Sequence, residues 1–286
     1  MFNQTLPFRK MNGLGNDFAV IDARASAVKL TPDATRRLAD RRNGVGCDQV
    51  IVLETSQRGD AFMRILNADG SEVGACGNAT RCVAGLISGE LRRPRVTIET
   101  AAGLLAAQIQ ADGSVSVDMG TPRFDWRDIP LARDAGDASA IDYRIETPAG
   151  LLEGPSVVNV GNPHCIFWVE DLDAYDAAAI GPVVENDPLF PERVNVSFAQ
   201  VLSHNAIRLR VWERGVGLTQ ACGSGACATG VAGARRGLTG REVSIELPGG
   251  TLGIKWRETD GHILMTGPWS LDYEGIFDFG ETASAA

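Results

Sequence analysis

Residues 67–122 and 213–268 are two copies of one text, and their most similar phrase is Ala75-Cys76-Gly77 in the first copy and Ala221-Cys222-Gly223 in the second. The match extends well beyond that phrase. Gly15-Asn16 precedes Gly161-Asn162 by 146 residues, Gly70 precedes Gly215 by 145, and Cys76 precedes Cys222 by 146. Val96 precedes Val243 by 147 and Pro122 precedes Pro268 by 146. A near-constant offset over five landmarks is not the chance recurrence of one short motif. The period is far longer than the roughly 20–50 residues of a solenoid repeat, so each copy is a whole domain. Two similar domains are expected about a pseudo-twofold axis, with equivalent segments meeting in the cleft between them. The two repeated thiols would then face each other across that cleft.

Composition removes several classes of function. Among 286 residues there are 27 basic and 36 acidic ones, a net charge of −9, and the basic residues are scattered rather than striped. Nucleic acid is therefore not an expected partner. No apolar run has the length of a membrane span, and Met1 to Gly13 has no apolar core suited to a signal peptide. The expected setting is cytoplasmic, where thiols stay reduced. Six cysteines then read as catalytic or buried rather than cross-linked; Cys47, Cys82, Cys165 and Cys227 read as small buried apolar residues. Zinc is not expected, since Cys76…Cys82 and Cys222…Cys227 differ in spacing and lack a tight Cys-x-x-Cys knuckle. His164 and Cys165 are neighbours on one predicted strand and point to opposite faces, so they do not form a nucleophilic dyad.

Local patterns place the repeated phrases. An Asn in a glycine turn opens a strand in each half, Asn16 before DFAVID and Asn162 before HCIFWVED. Thr31-Pro32-Asp33 announces a helix that should stop near Gly44, with the segment from Asp171 as its counterpart. Strands are predicted at 49–54 and 61–67, matched by 195–202 and 207–212. Ala-rich segments 78–91 and 224–236, each directly after its Ala-Cys-Gly, read as helices. Strands 96–100, 104–110 and 115–119 close the first copy; 243–247, 252–256 and 263–265 close the second. Residues 123–140 match poorly and read as the connection between halves. Residues 271–279 have no counterpart and are expected to cross back and extend the first domain.

A cysteine at the N-terminus of a helix sits beside unpaired backbone N–H groups and a partial positive charge, which bind a carboxylate and lower a thiol pKa. Two such ends can hold an α-carboxylate while one thiolate takes the α-proton and the opposite thiol returns one, inverting the centre. An amino-acid α-proton is far less acidic than a thiol of reference pKa about 8.5. Many racemases meet this with pyridoxal phosphate on a lysine. Here only Lys10, Lys29 and Lys255 are present, none in a phosphate-cradling loop, so a route without cofactor is expected, with helix-end N–H groups stabilising the developing enolate.

At MNGLGNDF (11–18), NADGSEV-ACGN (67–78), GNPH (161–164), RVN (193–195) and ERG-G-T-ACGSGAC (213–227), the chain closely resembles diaminopimelate epimerase over essentially its whole length. The resemblance implies an α+β fold of two homologous domains, each a mostly antiparallel sheet or barrel wrapped on a central helix, with boundaries 1–121 plus 270–286 and 122–269. It implies epimerisation of LL- to meso-diaminopimelate for lysine and peptidoglycan synthesis, without pyridoxal phosphate or metal, by a homodimer. By this likeness Cys76 and Cys222 are the acid/base pair, with His164 and Glu213 tuning them. Gly77, Asn78, Gly223 and Ser224 resemble the cradle around the reacting end. Asn16, Gln49, Asn67, Asn162, Asn195, Glu213 and Arg214 resemble the substrate ligands, Arg214 being suited to a bidentate grip on the distal carboxylate. Tyr273 is the candidate dimer contact. Leu218 and Asn12 depart from the family pattern, where Glu and His are frequent. Two alternatives remain at this stage, a proline or hydroxyproline racemase and a redox-sensing dithiol protein.

Overall fold

The computed structural model describes residues 5–26 and 28–279. Residues 280–286, the end of the tail assigned above to the first domain, lie outside them. The chain folds as two units, Met1–Val117 with Gly267–Ala286, and Asp118–Thr266.

In the first unit, consecutive pairings run from Ser270–Asp278 to Thr5–Gly13, Asn16–Asp22, Gln49–Glu54, Ala61–Asn67, Arg95–Thr100, Gly103–Ile109 and Val115–Asp118. Two of these pairings are parallel, Phe18 opposite Gln49 and Ala61 opposite Ile98; the others are antiparallel. The second unit repeats the scheme through Ser156–Asn159, Pro163–Trp168, Asn195–Ser203, Ala206–Glu213, Glu242–Leu247, Gly250–Trp256 and Ile263–Gly267. Its parallel pairings fall at the equivalent places, His164 opposite Asn195 and Ile207 opposite Ile245. The fold is therefore α+β, two sheet-dominated units with few helices.

Each sheet curves about one helix, and the helix sequences explain how. Helix α1 is Pro32–Ala39, α2 is Gly77–Leu91, α3 is Ala177–Glu185 and α4 is Gly223–Arg235. Residues 78–85 of α2 and 225–233 of α4 are buried without interruption, over more than two turns each. A helix with no solvent face must be surrounded, and both carry the small residues that let strands come close. A methyl group on Gly85 would lie 2.1 Å from the Trp269 ring, and one on Gly230 would lie 2.9 Å from Ile254. Glycine costs about 1 kcal/mol inside a helix and is kept here for close approach.

Most predicted elements occur within one or two residues of their expected ends; the differences have physical causes. Helix α1 stops at Ala39, capped at Thr31, whose side chain accepts from Ala34 N. The expected counterpart is a 3-10 turn at Leu172–Ala174 followed by α3, which begins at an Asp176 cap and runs through Pro182. Thr5–Gly13, Ser156–Asn159, the hairpin Arg144–Thr147/Gly150–Glu153 and the short Glu72–Val73 and Gly217–Leu218 are strands that the pattern reading missed. Pro7 and the inward Lys10 break the alternation of the first, and Lys10 is buried because Asp17 pairs with it at 2.6 Å and the Gly46 carbonyl accepts from it. The segment 123–140 is more than a connection. Ile129, Leu131, Ala135 and Ala138 are buried in the second unit's core with Phe167, Phe190 and Phe198. The tail forms Ser270–Asp278, antiparallel to Thr5–Gly13, with Tyr273 opposite Lys10.

Candidate active site

The equivalent cysteines take equivalent positions. Cys76 is the N-cap of α2 with extended backbone (φ −148°, ψ 110°), and Cys222 is the N-cap of α4 (φ −116°, ψ 105°). A short strand precedes each, Glu72–Val73 on Ala61–Asn67 and Gly217–Leu218 on Ala206–Glu213. Gly70 and Gly215, at φ 88° and 74°, make the left-handed turn that reverses the chain before each thiol.

In the first unit the candidates fall into two hydrogen-bonded groups. The Cys76 thiol donates to Asn16 Oδ1 at 3.8 Å, and Asn78 Nδ2 donates to the same oxygen at 3.2 Å. Asn16 Nδ2 donates to Asp48 at 2.8 Å. Gln49 and Asn67, directly opposite in the ladder, join through Gln49 Nε2 to Asn67 Oδ1 at 3.0 Å. Asn67 Nδ2 continues to Ser71 at 3.1 Å, and Gln49 Oε1 is buried without a hydrogen-bond partner. Gly77 opens α2.

In the second unit, Cys222 Sγ accepts from Gly225 N at 3.3 Å and lies 3.5 Å from the Ser224 hydroxyl. Gly223 begins α4. A helix end was expected to lower the thiol pKa; for Cys222 the outcome is the reverse. Burial is the largest cause and the Glu213 carboxylate the next, and together they outweigh Ser224 and the Gly225 N–H and hold the thiol well above its usual range. Glu213 is itself steadied by Thr219, whose hydroxyl donates to it at 2.6 Å. Asn195 is buried, donates to Pro163 O and accepts from Arg214 N at 2.9 Å. The Arg214 guanidinium donates to Glu192 O at 2.9 Å.

His164 is wholly buried, which lowers its pKa to about 3 and keeps the ring neutral. Its Nε2 lies 2.9 Å from Asn162 Oδ1, while its buried Nδ1 has no hydrogen-bond partner among the described residues. An unpaired buried N–H is costlier than an unpaired acceptor, so the proton belongs on Nε2, donating to Asn162. Asn162 then turns its N–H2 group away from the ring. The remaining cysteines are apart from this chemistry: Cys47, Cys82 and Cys165 are free and buried, with Cys47 pushed up to about 11 and Cys82 to about 12 by burial. Cys165 packs in the second core.

Pattern reading missed Asp48, Arg81, Glu185 and Thr219. Departure from the repeat is the signal that marks the first two. By the strand registers, Asp48 corresponds to Val194 and Phe18 to His164, and the cysteine offset matches Arg81 to Cys227. A charged residue in one copy where its equivalent is apolar has a task particular to its own half.

The fold is that of a hydroxyproline epimerase from Agrobacterium vitis, 18% identical, TM-score 0.67, covering 98% of this chain and 93% of that one. A PhzF-family phenazine biosynthesis protein of Bacillus anthracis is 17% identical, TM-score 0.65, covering 95% and 98%. Fold and thiols together define a class: two-unit α+β proteins with one cysteine capping the buried helix of each unit. The family model for diaminopimelate epimerase matches residues 8–124 and 156–271, and the chain belongs to the diaminopimelate epimerase family. The diaminopimelate epimerase of Rhodospirillum centenum is 56% identical over 270 residues, 94% of this chain and 91% of that protein. That of Acidiphilium cryptum is 54% identical over 272 residues, covering 95% and 96%. Membership makes the chain an isomerase.

Proposed function

We propose that this protein inverts one α-carbon of diaminopimelate, LL to meso, with Cys76 and Cys222 as its two proton-transfer groups, and so serves lysine and peptidoglycan synthesis in the cytoplasm. The observation that carries the assignment is the shared position of the two thiols, each the N-cap of its unit's buried helix. Inversion needs a proton removed from one side of the carbon and another delivered to the opposite side. Cys222, kept protonated by burial and Glu213, enters as the acid, and Cys76 as thiolate enters as the base. The C–H electron pair flows into the α-carboxylate as an enolate while Cys76 Sγ gains the proton. Cys222 Sγ–H then protonates the carbon and is left as thiolate. The reverse reaction exchanges the roles, and the apparent pKa values belong to the pair.

Backbone N–H groups of Gly77, Asn78, Gly223 and Ser224 at the helix starts suit the α-carboxylate and the charge that develops on it. Asn162, with its N–H2 turned away from His164, is suited to a carboxylate, as is the Arg214 guanidinium. Asn16, Gln49, Asn67, Asn195 and Glu213 complete the ligand set for a substrate with two zwitterionic ends. Among the described residues, no helix is long and apolar enough to cross a membrane.

The test uses Cys76→Ala, Cys222→Ala and the wild type in D2O. Wild-type turnover puts one solvent deuteron on the inverted carbon, and each single variant loses at least about a thousandfold in kcat. Undiminished epimerisation by either variant defeats the assignment.

The active form proposed is a homodimer. Ser270–Asp278 pairs on one side with Thr5–Gly13 and exposes Leu271, Tyr273 and, at 70%, Ile276. A long apolar edge strand invites pairing with another chain, and a second copy of this strand is the occupant that its two-sided exposure suits.

A further inference from the structure

The first unit holds a directed chain of hydrogen bonds whose two ends are opposite charges. The wholly buried Arg81 donates from Nη1 to Asn78 Oδ1 at 3.0 Å; Asn78 Nδ2 donates to Asn16 Oδ1 at 3.2 Å; Asn16 Nδ2 donates to Asp48 Oδ2 at 2.8 Å. A guanidinium only donates and a carboxylate only accepts, so both amides between them are oriented from both ends. Asn16 cannot turn its N–H2 group towards Cys76 without pointing its carbonyl at the Asp48 carboxylate. Its Oδ1 is therefore held where the Cys76 thiol donates, at 3.8 Å.

We propose that Asp48 is a positioning residue which, by fixing the Asn16 amide with its carbonyl towards Cys76, strengthens that cysteine as a base. The proposal rests on the assignment of Cys76 as the abstracting thiolate. A fixed carbonyl accepts from S–H and offers nothing to S⁻, so it favours the protonated sulfur that abstraction produces. Greater thiol basicity narrows the gap to a weakly acidic α-proton. The second unit orients Asn162 from the other side, through His164, with the donor end of that amide turned away from the ring. Equivalent asparagines thus present opposite poles.

The charged and titratable groups around this corner of the unit are Asp17, Lys10, Arg41, Cys47, Asp48, Arg81 and Cys82, with Asp272 acting on Cys82. Arg41 bridges Asp17 and Asp48 at 2.9 and 2.7 Å. Asp48→Ala in the full-length protein removes the oxygen that accepts from Asn16 Nδ2. The readout is the pH midpoint for iodoacetamide alkylation of Cys76, resolved at the peptide level by mass spectrometry. The midpoint is expected to fall by about one pH unit, a tenfold rise in thiolate at a fixed pH below it. The shift persists in 1 M salt, which would screen a mere through-space charge effect. Arg41→Gln, which loosens the same loop but keeps the Asp48 to Asn16 bond, leaves the midpoint unchanged. An unchanged or raised midpoint in Asp48→Ala, a shift abolished by salt, or an equal shift in Arg41→Gln overturns the proposal. The alkylation readout needs no turnover, so it can fail while the assignment of Cys76 survives, and the cysteine variants can fail while this orientation effect stands.

Discussion

A single carboxylate and a single imidazole set the proton chemistry of the second unit. Glu213 raises the Cys222 pKa by its charge and by a hydrogen bond, second only to burial. In Glu213→Gln the alkylation midpoint of Cys222 should fall by at least about one pH unit, yet stay above that of an exposed thiol because burial is untouched. Turnover should fall at least about tenfold; a midpoint that does not move would remove Glu213 from this role. His164 makes a separate prediction about stability. Its folded pKa, about 3, lies below the 6.5 of an unperturbed histidine. The unfolded chain therefore gains a proton there first, and the stabilisation present above pH 6.5 is lost as pH falls towards 3. Between those limits the residue adds a slope of up to about 1.4 kcal/mol per pH unit, which His164→Gln should abolish in urea unfolding measured as a pH series. Equal slopes for the two proteins would mean that the ring is not held neutral. These residues were named by family likeness; the direction of each effect came from burial and neighbours that strand patterns do not show.

At the level of elements, strand ends and helix starts carry the candidate groups, and a few buried side chains tie them down. Glu185, at the end of α3 and 4% exposed, accepts from Trp212 Nε1 at 2.6 Å, from Gly215 N at 2.9 Å and from Arg193. It thereby pins the turn that carries Glu213 and Arg214. Glu185→Ala leaves buried donors unpaired, and should cost about 2–4 kcal/mol of stability and raise KM more than it lowers kcat. Denaturant midpoints and steady-state kinetics check both parts; unchanged KM with lost stability would make Glu185 a fold residue alone. Gln49, Asn67 and Asn195 were legible as polar positions on predicted strands and Arg214 by family likeness, but the partnerships Gln49–Asn67 and Asn195–Arg214 were not. Parallel registers such as His164 opposite Asn195 join residues about thirty positions apart, and no local period encodes that distance.

For the whole molecule, the open prediction concerns assembly. Ile276→Lys places a charge on the exposed apolar edge of Ser270–Asp278, and sedimentation should find the variant monomeric where the wild type is dimeric. A monomeric wild type, or a variant that still pairs, would place the interface elsewhere. The duplication, the α+β class, the helices and most of the strands, and the special standing of Cys76 and Cys222 could be derived from the order of residues, because a repeat and its periodicities are properties of the chain itself. Tertiary structure alone decided that 123–140 belongs to a core, that burial and Glu213 raise the Cys222 pKa rather than a helix end lowering it, and that Asp48 and His164 turn equivalent asparagines opposite ways. Desolvation, charge proximity and amide orientation depend on atoms brought together from distant positions, and they come into being only when the chain has folded.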